Sequence, residues 1–190
     1  MAGTGLSSHE INQPGCYKNV KDTSITAQFK INKAPVSFWE GDEDIYLLAW
    51  TTTPWTLPSN TALAVNKKVD YVLVKTLNQY TKKIVHVVLA EKLLSKVFSG
   101  NFIEKSQITN AEKQIPYEVI QKITGGDLEG LGYHQLINLA RPNKNPQNAF
   151  KVIHADFVST EDGTGIVHIA RTFGSDDANA ARENNVPSML

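Results

Sequence analysis

The chain has 190 residues, 41% of them hydrophobic and 20% charged, with a formal net charge of zero, all near the norm for ordinary globular domains. That length buries one core without disulfides or metals; a lone Cys16 excludes an internal disulfide and a multi-cysteine zinc site, and no apolar run approaches the roughly 20 residues of a membrane helix. Balanced charge also argues against a protein that grips nucleic acid mainly through phosphates. The first ten residues lack the basic start and apolar stretch of a secretory signal, so a soluble, cytoplasmic protein is expected, with residues 1–6 a cloning remnant or an unstructured tail.

In chain order, residues 24–31, 45–50, 60–65, 71–76 and 84–90 are short, β-branched or aromatic, and separated by turn residues, which predicts strands of a barrel or strongly curved sheet. Lys67-Lys68 and Lys82-Lys83 fall between them and read as solvated turns or edges. Leu93, Leu94, Val97 and Phe98 have helical spacing, so residues 91–98 are expected to form one amphipathic helix against an end of the sheet. Residues 124–132, with two glycine pairs, and residues 141–147, with two prolines, read as irregular loops within one domain. Strands return at 150–154 and 165–170, and a helix is predicted from Ser175, as N-cap, to about residue 184.

Two segments carry chemistry. The first is Trp50-Thr51-Thr52-Thr53-Pro54-Trp55-Thr56-Leu57-Pro58-Ser59-Asn60, where two prolines exclude a helix interior and four threonines, a serine and an asparagine crowd polar groups into a short stretch. Such a stretch either caps its own backbone or forms a lip of donors and acceptors facing a small polar ligand, with Trp50 and Trp55 as apolar walls. The second runs from Gly163-Thr164-Gly165 through Ile166-Val167-His168-Ile169-Ala170 to Gly174-Ser175-Asp176-Asp177. Asp176 and Asp177 there either complete a helix start favoured by the dipole or leave one carboxylate for a ligand ammonium, and His168 is either a satisfied core histidine or a ligand contact. The sequence has no phosphate-cradling glycine loop, no paired zinc histidines and no nucleophile elbow, and His9, His86, His134 and His154 lack metal-ligand spacing.

Together these segments resemble the paired signatures of the editing domain of class I aminoacyl-tRNA synthetases for branched aliphatic amino acids. The first is similar to the isoleucyl version, because valyl and leucyl relatives have arginine where Thr53 stands. The resemblance covers about residues 7–190 and contains neither ATP-handling signature of the aminoacylation core. It implies a mainly β fold with peripheral helices, a β-barrel editing domain of the valyl, isoleucyl and leucyl type, spanning residues 1–190 as a fragment of a longer synthetase. It further implies post-transfer editing: hydrolysis of valine from the 3′ end of isoleucine tRNA. Asp177 would hold the α-ammonium, with Asp176 the lesser candidate; Trp50, Thr51 and His168 would shape the substrate pocket. Thr52, Thr53, Thr56 and Asn60 would serve as catalytic residues that position the terminal adenosine or a water.

No metal or cofactor is implied in this domain, ATP and Mg2+ belonging to the parent enzyme's aminoacylation site. The expected partners are the valine-charged tRNA end and the rest of the synthetase in cis, with no DNA, no membrane and a monomeric state. The other class of function compatible with the same residues is a non-catalytic module that binds the aminoacylated tRNA end or a free amino acid. One position departs from the family pattern: Arg171 stands where proline is usual, and it either loosens the adjoining loop or supplies a phosphate contact.

Overall fold

The computed structural model describes residues 7, 9, 12–18, 21–32, 37–39, 41–98 and 115–189. Eight strands dominate: β1 (Ile25–Lys30), β2 (Ile45–Thr51), β3 (Ala62–Val65), β4 (Asp70–Leu77), β5 (Ile84–Ala90), β6 (Tyr117–Thr124), β7 (Lys151–His154) and β8 (Val167–Ile169). They form a five-stranded sheet in the order β1-β2-β5-β4-β6 and a three-stranded sheet in the order β7-β3-β8. Pairing is antiparallel except for β2 with β5 and β3 with β7. The expected mainly β body is therefore present, but among the described residues its ladder does not close into a barrel. Single bridges, Ile31 to Tyr133 and Gly132 to Lys151, join one edge of the large sheet to the small one.

Alternation along the strands sorts side chains into two layers. Phe29, Leu47, Leu63, Val65, Tyr71, Leu73 and Val88 point into a common interior between the sheets. Their neighbours Leu48, Val72, Val74, Val87 and Leu89 form a second cluster with Phe98 on the other face of the large sheet. Ala62, Ala64 and Ile169 pack against Ala180 and Ala181 of the last helix. Because both faces are covered, these strands read as nearly continuous apolar runs.

Several sequence expectations are corrected. Residues 91–98 hold a 3₁₀ turn (Glu91–Leu93) followed by a single α turn, α1 (Leu94–Val97), with Leu93 and Phe98 buried. Residues 124–132 are not wholly irregular: Thr124 and Asp127 form a capping box that starts the short helix α2 (Gly125–Leu128). The final helix is α3 (Ser175–Glu183); its N-cap is Gly174 and Ser175 is its first residue, with no side-chain cap. Strand β6 was not anticipated, because on this edge strand most side chains are exposed and no apolar alternation marks it. Both lysine pairs do lie in turns or strand connections, and Lys67 and Lys68 pair with Glu129 and Asp156.

Candidate functional site

Strand β2 ends at Thr51, and Pro54 opens a 3₁₀ helix (Pro54–Ser59) that leads back to β3. This helix holds itself together with hydroxyls: the Thr53 N–H donates to Thr51 Oγ1 at 3.1 Å, and Thr56 Oγ1 donates to the Thr53 carbonyl at 2.8 Å. The self-capping role is thus real for Thr51 and Thr56, both buried, whereas Thr52 and Thr53 are exposed. No hydrogen bond within the described residues occupies the Thr52 hydroxyl, which leaves it open to a ligand or water.

Antiparallel pairing of β3 with β8 sets His168 opposite Leu63, and so on the inward face. Its Nε2 lies 3.1 Å from Thr56 Oγ1. The one hydroxyl proton of Thr56 is already given to the Thr53 carbonyl, so the shared proton belongs to the imidazole and Nε2 donates. Nδ1 is then an unprotonated acceptor, sealed from solvent and without a partner. Burial lowers the His168 pKa below its ordinary value, in keeping with a neutral ring. The ring is a fixed wall: one nitrogen is tied to Thr56 and no carboxylate activates the other.

The loop after β8 turns into α3 and is pinned at its base, where the Ala170 N–H donates to Asp177 Oδ2 at 2.8 Å. Asp177 is half-buried and has no cationic partner among the described residues. Its pKa is raised, first by burial and also by neighbouring Asp176, with the Ala170 hydrogen bond opposing the rise. Asp176 is exposed at the helix surface. Arg171 is held as well, donating to the Val186 carbonyl at 3.1 Å, so the arginine ties this loop rather than freeing it.

These elements enclose a cleft of about 480 Å³ in which both sequence segments meet. Trp50, Thr51, Thr52, Thr53, Thr56, His168 and Asp177 all line it, with Trp55 and Phe173 as largely exposed aromatics at its edge. Asn60 does not line it. Its amide donates to the Ala62 carbonyl at 2.8 Å and its Oδ1 accepts from the Tyr133 hydroxyl at 2.6 Å, so this buried side chain joins the two halves of the interior. Sequence reasoning missed Phe157, Ser159 and Asp162 on the facing wall. The only signal was a polar loop bearing an exposed phenylalanine just before Gly163. At Gly163 the backbone has φ +76°, and an added Cβ would lie 3.1 Å from the Trp50 ring, so glycine lets this loop close on the tryptophan.

A larger groove of about 690 Å³ lies across Trp50, Gly163 and Thr164 from this cleft. Among the described residues it has no carboxylate or imidazole and offers nothing to hold an ammonium. No three His, Cys, Asp or Glu side chains come together as a metal site among the described residues, and no helix there is long and apolar enough to cross a membrane.

The fold is that of synthetase editing domains. It matches the CP1 domain of the leucyl-tRNA synthetase GlLeuRS with a TM-score of 0.59 at 18% identity, over 85% of this chain and 60% of that one. It matches the editing domain of the cytosolic leucyl-tRNA synthetase of P. falciparum with a TM-score of 0.58 at 13% identity, over 85% and 66%. By sequence the chain belongs to the isoleucine–tRNA ligase family, as one segment of it. It is 53% identical over 191 residues to the isoleucine–tRNA ligase of Cytophaga hutchinsonii and 49% identical over 199 residues to that of Bacteroides thetaiotaomicron. Each alignment takes in 100% of this chain but only 17% of the relative's length. No protein-family model matches the chain.

Proposed function

We propose that the cleft hydrolyses valine from mischarged isoleucine tRNA, as the post-transfer editing site of a longer isoleucine–tRNA ligase. The observation that carries this reading is Asp177: a half-buried carboxylate at the cleft wall, without a cationic partner among the described residues, whose burial cost a ligand ammonium would offset. Trp50 and His168 bound the side-chain pocket, and the fixed imidazole rejects isoleucine by overlap. One methylene changes binding in an apolar pocket by only ~1–3 kcal/mol, so a second site that refuses bulk is needed to separate the two amino acids.

Thr52 and Thr53 hold the attacking water, and Trp55 and Phe173 offer faces for the terminal adenine. Because His168 is neutral and fixed and no nucleophile–base pair lines the cleft, the reaction proceeds through a positioned water, helped by the substrate's own ribose hydroxyl, and not through a covalent intermediate. The tRNA body and the remainder of the synthetase in cis deliver the substrate, in the cytoplasm; the domain itself is monomeric and uses no cofactor.

The absence of a ready base also suits a module that binds the aminoacylated end without turnover. Deacylation of valyl- and isoleucyl-charged isoleucine tRNA by this chain at high concentration, with Asp177→Ala alongside, separates the two. Valine-selective hydrolysis that the variant loses supports editing. Saturable binding of a nonhydrolysable valyl-adenosine analogue without hydrolysis would support the binding module instead.

A further inference from the structure

The loop between β8 and α3 borders two clefts. Phe173 and Gly174 line the candidate site, while Arg171 lines a separate cleft of about 430 Å³ together with Lys144, Arg182 and the amides of Asn143, Asn145 and Asn185. No carboxylate lines this second cleft. Lys30, Lys67, Lys68, Lys96 and Lys122 each have a carboxylate partner, yet Lys144, Arg171 and Arg182 have none among the described residues. Arg171 gives one donor to the Val186 carbonyl and Arg182 gives one to Asn179 Oδ1 at 3.2 Å, leaving most of both guanidinium forks unused. Asn145 (φ +50°) and Asn185 (φ +54°) turn the chain at two edges of the cleft. In a chain of zero net charge, three converging unpaired cations repel one another, and an anion seated between them relieves that repulsion.

We propose that this cleft binds backbone phosphate of the single-stranded RNA end whose terminal aminoacyl-adenosine occupies the neighbouring site; this rests on the aminoacyl-RNA reading of that site. Ala170, whose N–H holds Asp177, immediately precedes Arg171, so one short loop carries both the ammonium anchor and a phosphate cation. Phosphate contacts of this kind fix register without reading sequence, and guanidinium forks match phosphate oxygens. A proline at position 171 would provide no such group.

Two probes test the proposal separately. The unacylated RNA trinucleotide CpCpA reports on the cleft, and a phosphate-free, nonhydrolysable valyl-adenosine analogue reports on the candidate site. Affinities are measured from 50 to 200 mM salt, as concentrations on the order of those that resolve counterion release. Combining Lys144→Gln, Arg171→Gln and Arg182→Gln should weaken the trinucleotide on the order of tenfold at low salt and flatten its logarithmic salt slope by about 0.7 per cation removed. The same variant should leave the analogue's affinity unchanged. Arg171→Lys, which keeps the charge, should retain most of the trinucleotide's binding, and it guards against misreading a loop loosened from Val186. If the trinucleotide does not bind, or binds the triple variant with the same affinity and slope, the cleft is not a phosphate site. If the analogue alone fails to bind, the aminoacyl reading of the neighbouring site fails while the trinucleotide result still decides the cleft.

Discussion

At Asp177 stability and ligand recognition pull in opposite directions. Its pKa is raised in the fold, so the folded protein takes up this proton more readily than the unfolded chain, and the group favours folding as pH falls through its raised value. Above that pH the ionised carboxylate is a cost. Asp177→Asn keeps an oxygen for the Ala170 N–H and removes the charge, so the ligand-free variant should melt at the same temperature or higher in differential scanning fluorimetry. Deacylation should fall about 10- to 150-fold in kcat/KM, the value of a hydrogen bond to a charged group at ~1.5–3 kcal/mol. A variant that is less stable and equally active would remove Asp177 from the site. Sequence pointed to this residue through its place in a helix's first turn, but the Ala170 hydrogen bond, which distinguishes it from exposed Asp176, is a tertiary fact. Asn60 shows the converse: a polar residue in a suggestive motif, drawn by the fold into bonds with Ala62 and Tyr133.

Among the elements, the Gly163-Thr164-Gly165 turn is the tightest joint. Thr164 Oγ1 donates to the Leu48 carbonyl at 2.6 Å, the Ala90 N–H donates to the Thr164 carbonyl at 2.9 Å, and Gly165 has φ +73°. A Cβ there would lie 2.4 Å from that of Ala90. Gly165→Ala should therefore cost about 1–3 kcal/mol in urea unfolding, from left-handed strain together with overpacking. Gly126→Ala is the matched control. Its added carbon meets only Thr124 Oγ1 at 3.5 Å within α2, so it should be neutral or stabilise by up to about 1 kcal/mol. Elements with strong apolar runs, such as β4 and β5, were legible because both their faces are buried. Exposed β6 and the four-residue helices α1 and α2 were not, since a single turn presents too little periodicity to be distinguished from a loop.

Over the whole molecule two buried histidines lie in different sheets or on their faces. His86 of β5 stacks on Trp39 with ring centroids 4.8 Å apart, and His168 lies in β8. Burial lowers the pKa of each; for His86, Glu43 offsets the fall and Lys75 adds to it. Unfolded histidines bind protons first as pH drops through about 6.5, so stability contributed by both is present above that pH and is lost on going below it. Urea midpoints should fall between pH 7.5 and 5.5, and a His86→Gln, His168→Gln pair should flatten that fall while lowering stability at pH 7.5. An unchanged slope in the pair would assign acid sensitivity elsewhere. The mainly β character and the meeting of two distant segments were foreseeable from sequence; the open ladder was not, because closure depends on single bridges between loop residues such as Gly132 and Tyr133 that leave no pattern in the chain.

Trp50 forms a partition: one face of its surroundings belongs to the candidate cleft and the other to the larger groove. Of the three tryptophans, it and Trp55 both border the cleft, while Trp39 is stacked on His86. The protein thus carries its own optical reporter: a ligand entering the cleft alters the surroundings of two indoles at once, and one entering the groove alters those of Trp50 alone. Emission spectra of Trp50→Phe and Trp55→Phe variants would then distinguish which chamber a molecule occupies without any added label.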